Sequence, residues 1–295
     1  MRLHELGEDA VVRGLTRGLN LDRRVVLGPG DDCAVVKIAG DVQLLKSDCI
    51  IEGVHFLPDA DPMWVGWKAM CRSISDIASM GGWPLDALVT VAIRSDAEFE
   101  WLKKLYRGLR KAASTYRVNL VGGETARSPG PLFLSVSLTG MVENGKYVGR
   151  SGGRKGDWLF VTGKLGGSID GKHLRFLPRL REARWLVSRF PIHAMMDLSD
   201  GLGSDLPRLA TASGVGFEVA LEALPLNKGC LPENAVRDGE DYELLFAVPR
   251  GVKSRLESEW KEAFPRLRLT PIGRLVDSGH REFEAKGFDH FRSSA

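Results

Sequence analysis

DPMWVGWKAMCRSISDIASMGG, residues Asp61–Gly82, is the stretch on which the fold turns. Asp61 suits an N-cap and Pro62 the first helical position, where a missing N–H costs nothing. Trp64, Trp67, Met70, Ile74 and Ile77 recur at helical spacing until Gly81-Gly82 stops the run, so the pattern predicts one apolar helix. Inside it stands Asp76, on the face shared with Ala69, Ser73 and Met80. Aspartate is a poor residue for a helix interior and is seldom buried alone. It needs either a solvent face or a cation there, and the residues leave both open.

Outward from this helix the pattern alternates. Arg24–Leu27, Cys33–Ile38 and Val42–Leu45 read as short strands separated by Gly, Asp and Pro turns. After it come a strand at Asp86–Ile93, a charged amphipathic helix at Ser95–Tyr116, and strands at Val118–Val121 and Leu132–Val142. Gly, Arg and Lys dominate Asn144–Asp157, which places a domain boundary there and divides the chain into 1–143 and 144–295. Strands at Trp158–Thr162, His193–Met196, Val215–Leu221, Glu243–Val248 and Leu267–Leu275 then alternate with helices at Arg179–Phe190, Gly201–Ser213 and Val252–Phe264. Both halves therefore read as α/β or α+β layers. The 295 residues fit two domains, at about 150 residues each.

A formal net charge of +3 suits anionic metabolites but supplies no basic stripe, so a nucleic-acid partner is not expected. Cys33, Cys49, Cys71 and Cys230 form no CxxC pair, and no His/Cys spacing resembles a zinc site. Cys33 and Cys49 read as small buried hydrophobes. Met1–Glu8 is charged and lacks the apolar core of a signal peptide. No apolar run approaches the ~20 residues of a membrane span. The expectation is a cytoplasmic protein with reduced thiols and no membrane partner.

Six acidic motifs punctuate the chain: Gly30-Asp31-Asp32, Ser47-Asp48, Ser75-Asp76, Gly122-Gly123-Glu124-Thr125, Asp197-Leu198-Ser199-Asp200-Gly201 and Gly239-Glu240-Asp241. Four of them have a plain structural explanation. Gly28–Asp32 makes a polar turn, Ser47-Asp48 caps a strand, Gly122-Gly123 turns the chain, and Ser199 or Asp200 caps a helix. Pooled, they are the oxygen ligands that Mg²⁺ requires, and magnesium in turn points to a phosphorylated substrate. Glycines at a strand end allow close backbone approach to phosphate, and helix N-termini favour it. Gly166–Lys172 matches the start of a P-loop, but His173 stands where Ser or Thr should hold magnesium, so that motif is set aside.

The blocks GPGDDCAVV, SDCIIEGVHFLPDADP, WKAM…SISDIASMGG, LVGGET, GRSGGRKGDWLFVTGKLG, DLSDGLGSDL, GEDYELLF and KGFDHF run in order along nearly the whole chain. Together they resemble the thiamine-monophosphate kinase family of the AIR synthetase-like superfamily. The early blocks are common to the superfamily; Val54-His55-Phe56, Gly239–Phe246 and Phe288–Phe291 favour this family within it. The resemblance implies a two-domain fold, an N-terminal α/β domain that dimerises through its strands and a C-terminal α+β domain. It implies transfer of the γ-phosphoryl of ATP to thiamine monophosphate. Asp31, Ser47, Asp48, Asp76, Glu124, Asp197 and Asp200 would hold Mg²⁺; Tyr116, Gly123, Glu124, Arg150 and Ser199 would contact ATP; His55, Glu240 and Phe288 would meet thiamine; and a homodimer is implied.

Three departures stand out. Lys46-Ser47-Asp48 replaces the family's Ser-Thr-Asp, Gly-Gly-Glu-Thr replaces Gly-Gly-Asp-Thr, and the segment Ser168–Pro191 is short. They motivate two other readings, a related ATP-dependent ligase acting on another phosphorylated metabolite and a catalytically weak ligand-binding paralogue.

Overall fold

The computed structural model describes residues 2–143, 146–281, 283 and 287–291. Two short helices, α1 (Leu3–Leu6) and α2 (Glu8–Thr16), open the chain. Strands β1 (Val25–Leu27), β2 (Ala34–Ile38) and β3 (Asp41–Ile51) lead to α3 (Pro62–Ser79), β4 (Trp83–Ile93), α4 (Phe99–Tyr116), β5 (Asn119–Arg127) and β6 (Phe133–Met141). These strands form one sheet in the order β1-β2-β3-β6-β4-β5, in which only β4 and β5 run parallel.

The second half holds β7 (Trp158–Thr162), α5 (Lys172–Arg175), α6 (Leu180–Arg189), β8 (Ala194–Asp197), α7 (Leu202–Ser213), β9 (Gly216–Val219), α8 (Pro232–Arg237), β10 (Leu244–Val248), α9 (Lys253–Ala263) and β11 (Leu269–Val276). Its strands make an antiparallel sheet in the order β8-β10-β7-β11-β9. One apolar core lies between the first sheet and α3 and α4, and two more cover the faces of the second sheet. Ala78 of α3 belongs to one of those two, so this helix joins the halves.

The expected N-cap is present, the Asp61 side chain accepting the Met63 N–H at 2.9 Å. The expected apolar helix is enclosed: from Val65 to Ser79 every residue of α3 is buried except Arg72. The first sheet covers one side, α4 another, and α5, α6 and β8 its remaining flank. Two glycines let α3 and α4 approach this closely. A Cβ on Gly66 would lie 2.0 Å from the Leu105 carbonyl oxygen, and one on Gly108 1.8 Å from that of Met63.

Two strand ends differ from the sequence expectation. Lys46-Ser47-Asp48 lies inside β3, because β6 pairs with that strand from Gln43 to Ile51. Gly122–Thr125 lies inside the edge strand β5, paired with β4, and a Cβ on Gly123 would meet the Val89 carbonyl oxygen at 1.8 Å. The first sheet leaves Leu45, Leu88 and Met141 exposed on the face away from α3. Among the described residues no helix is long and apolar enough to cross a membrane, and the four cysteines are free.

Candidate active site

Elements from both halves deliver carboxylates to one place. The turn before β2 supplies Asp31 and Asp32, β3 supplies Asp48, α3 supplies Asp76, and the end of β8 supplies Asp197. Carboxylate oxygens of Asp32, Asp76 and Asp197 lie within 4.8 Å of one another, and all three residues are buried. Ser75 donates to Asp197 at 2.5 Å, and Ser79 donates to Asp32 and to the Asp76 carbonyl. Arg150 caps the group, its Nε and Nη2 on Asp32 at 3.0 and 2.5 Å and its N–H on Asp31 at 2.9 Å. Asp76 has no solvent face. Lys46 meets it at 2.8 Å and Asp48 at 3.4 Å.

Close like charges out of water hold protons. Burial and the neighbouring Asp32 push Asp31 up to about 6 and Asp197 up to about 7. Burial holds Asp76 well above the carboxylate range against the pull of Lys46, with Asp48 and Asp197 adding to it. Asp48 goes the other way: burial opposes its charge, but Lys46 and Arg72 bring it down to about 2. Carboxylates and hydroxyls without sulfur or imidazole are a hard donor set, and they fit Mg²⁺.

A second group adjoins the first along α3. Lys68, fully buried, donates to the His55 carbonyl at 2.6 Å and meets Glu240 at 2.5 Å. The His55 Nδ1 accepts the Ile51 N–H at 3.0 Å, and its ring lies 5.2 Å from that of His290. Phe288 packs edge-on to His290 at 4.9 Å and is partly exposed. Burial, then Arg72 and Lys68, push His55 down to about 3, so it is neutral at physiological pH. Burial also lowers Lys68 to about 8, against the pull of Glu240. Glu240 and Tyr242 both adopt positive φ, 68° and 51°, a strained geometry for residues with side chains.

The remaining expected site residues lie apart from these two groups. Ser47 alternates with Lys46 and Asp48 along β3, so its hydroxyl is on the opposite face, 3.2 Å from Ser137. Glu124 is in register with Thr90 on the edge strand, exposed, with Gly123 before it. Tyr116 ends α4 and packs 6.2 Å from Trp67. Ser199 is tied through its backbone to Asp205 and Glu240, and Asp200 is ion-paired with Arg208. Lys172 of the P-loop-like run donates to the Lys164 carbonyl at 2.8 Å and faces Asp241 and Glu243. The sequence reading passed over Asp32, Lys68, Arg72 and His290 as site residues. Asp32 adjoins Asp31, His290 lies in the KGFDHF block, and Lys68 and Arg72 precede Asp76 at four-residue steps that put all three on one helix face.

Residues 30–142 match the family model "AIR synthase related protein, N-terminal domain", and residues 154–286 match its C-terminal counterpart. The chain is 38% identical over 287 residues to the thiamine-monophosphate kinase of Rhodopirellula baltica, covering 90% of this chain and 88% of that one. It is 35% identical over 327 residues to the Aquifex aeolicus thiamine-monophosphate kinase, covering 99% of this chain and 100% of that one. A solved structure of AaThiL complexed with AMPPCP and TMP superposes with a TM-score of 0.85 at 33% identity, covering 98% of this chain and 99% of that one. The hydrogenase maturation protein HypE of E. coli, at 19% identity and a TM-score of 0.70, shares the fold over 92% of this chain and 93% of its own.

Proposed function

The chain belongs to the thiamine-monophosphate kinase family of AIR synthase related proteins, and from that premise we propose that it transfers the γ-phosphoryl of ATP to the phosphate of thiamine monophosphate. The observation that carries this reading is the adjacency of two different surroundings along α3. A buried carboxylate cluster suited to cation-bound phosphates lies beside an aromatic and carboxylate pocket suited to a flat, cationic heterocycle.

In this reading an oxygen of the acceptor phosphate attacks the γ-phosphorus, the bond to the bridging oxygen breaks in line with it, and ADP leaves. The acceptor is already anionic near neutral pH, so neither a covalent nucleophile nor a strong general base is required. Asp31, Asp32, Asp48, Asp76 and Asp197 are the residues we assign to magnesium, which when bound neutralises charge on the phosphates. Asp200, Ser47 and Glu124 lie outside this group and belong to it only as outer positions. Arg150 and the backbone of Ser199 border the cluster on the side assigned to ATP, with Gly123, Glu124 and Tyr116 as its more distant contacts. Phe288 and His55 offer ring faces to thiamine, and Glu240 offers a charge to its cationic ring.

The exposed apolar face of the first sheet, which also carries Ser47 and Glu124, supports a homodimer formed through that face. The two separate sheets support the domain boundary at 143/144, and the free thiols suit a cytoplasmic setting. ³¹P NMR of the protein with ATP, Mg²⁺ and thiamine monophosphate tests the whole reading. Thiamine diphosphate and ADP resonances should grow together; ATP that stays intact, or that is only hydrolysed to free phosphate, overturns it.

A further inference from the structure

Arg72 is a charged residue beside both groups that no role above uses. It follows Lys68 by four residues and precedes Asp76 by four, so the three share one face of α3 at steps of about 6 Å. Lys68 closes on Glu240 and the His55 carbonyl, and Asp76 belongs to the carboxylate cluster. Arg72 therefore stands between the pocket for the heterocycle and the site for the phosphates.

Its Nε and Nη1 are out of solvent and have no hydrogen-bond partner, and it makes no ion pair among the described residues. The carboxylates whose field it feels are already engaged, Asp48 and Asp76 by Lys46 and Glu240 by Lys68. Two guanidinium nitrogens withdrawn from water without a hydrogen-bond partner carry a desolvation cost that the surrounding carboxylates offset only through their field, and donors left open in this way are free to take a ligand. Planar donors of this kind match a phosphate's oxygens two at a time.

We propose that Arg72 grips the phosphate of the acceptor substrate and so makes the cleft select a phosphorylated heterocycle over its unphosphorylated parent. The assignment rests on the kinase reading. It adds that the acceptor phosphate is held by a protein cation as well as by whatever the carboxylates bind. Because the phosphate is held at both ends, the heterocycle in its pocket and the γ-phosphoryl group beyond, Arg72 fixes its orientation for attack.

Arg72→Met keeps the length of the side chain and removes the fork. Binding of thiamine monophosphate and of thiamine, each measured by calorimetry without ATP, separates the roles. The variant should lose at least about tenfold in affinity for thiamine monophosphate while thiamine and the KM for ATP stay within about twofold. Arg72→Lys should give an intermediate loss, and it carries the test should the methionine variant fail to fold. Unchanged affinity for thiamine monophosphate in either variant overturns the proposal, as does equal weakening of both ligands with a lowered Tm. Turnover by the wild type tests the kinase reading by itself. A wild type that binds thiamine monophosphate without phosphorylating it defeats that reading and leaves the binding contrast to decide Arg72, while one that binds none defeats both.

Discussion

Among the described residues, two of the buried carboxylate groups are balanced in opposite ways. Beneath β7 and β10, Glu243 takes Nε and Nη2 of Arg179 at 2.6 Å each and the Thr162 hydroxyl at 2.8 Å. Its neighbour Asp241 accepts the Gly166 N–H at 2.9 Å and the Ser168 hydroxyl, and Lys172 lies between the two carboxylates. Cations match anions there one for one. In the cleft, Asp31, Asp32, Asp48, Asp76 and Asp197 have, among the described residues, only the cations Lys46 and Arg150 in direct contact. Burial of charge is common to both groups; of the two, the cleft is the one short of cations. That shortage, more than burial, marks the site at which an added cation belongs.

The comparison breaks most sharply at Asp76. Asp76→Asn should lower turnover by at least ~100-fold, as several kcal/mol of transition-state stabilisation are lost. Its Tm without Mg²⁺ should hold, because burial and the neighbouring carboxylates already keep Asp76 protonated. Steady-state assays and thermal melts of one preparation check both halves; turnover within a few-fold of wild type would remove Asp76 from the site. Glu243→Gln should do the reverse. It leaves Arg179 and Lys172 short of a partner and should cost about 3 kcal/mol of stability. Turnover per folded molecule should stay near wild type, and urea melts with unchanged midpoints would show that the matched group carries no structural weight.

Legibility followed the range of the interactions. The cap and stop of α3 are local and could be read from Asp61, Pro62 and Gly81, whereas its burial on all sides depends on α4 and the C-terminal half. The strand β3 looked finished at Leu45 because Lys46-Ser47-Asp48 is polar; β6 carries it on, and the inward charges are stabilised by Asp76 across the core. Period-two alternation then sends Lys46 and Asp48 inward and Ser47 outward, a consequence of strand length that the motif alone does not reveal. Asp31, Asp48, Asp76 and Asp197 were legible as a set through their shared chemistry. Lys68 and Arg72 were not, since an isolated basic residue in a helix usually faces solvent. Only their four-residue spacing to Asp76 hinted otherwise.

The heterocycle half of the cleft sharpens the comparison through pH. The folded value of His55, about 3, lies below the usual 6.5. The stability this confers is present above 6.5 and lost as pH falls toward 3. Between pH 7 and pH 5 the loss should be about 2 kcal/mol. Asp31, Asp197 and Asp241, all shifted upward, gain protons over the same range and oppose it. The informative quantity is therefore the difference between wild type and His55→Gln. The variant's melting temperature should depend less steeply on acid, and parallel curves would mean that His55 protonates freely.

The smallest effect concerns whether Lys46 is part of the cleft's cation supply. Strand alternation allows an ammonium facing solvent or one facing the carboxylates, and the ion pairs to Asp76 at 2.8 Å and Asp48 at 3.4 Å place it inward. A fixed positive charge there repels a cation bound to the same oxygens, so Lys46 should displace the weakest magnesium position. The family resemblance puts a serine at this place, which is neutral and can accept a metal. Lys46→Ser should then raise the apparent order of turnover in Mg²⁺ at saturating ATP, because a protein charge has been exchanged for a diffusible one. It should also leave Asp48 and Asp76 without their shared partner, and the variant should melt lower without Mg²⁺ and recover on its addition. Superimposable magnesium curves for the two proteins would mean that the ammonium only neutralises Asp48 and Asp76. The shortage of cations would then be met entirely at Asp32 and Asp197.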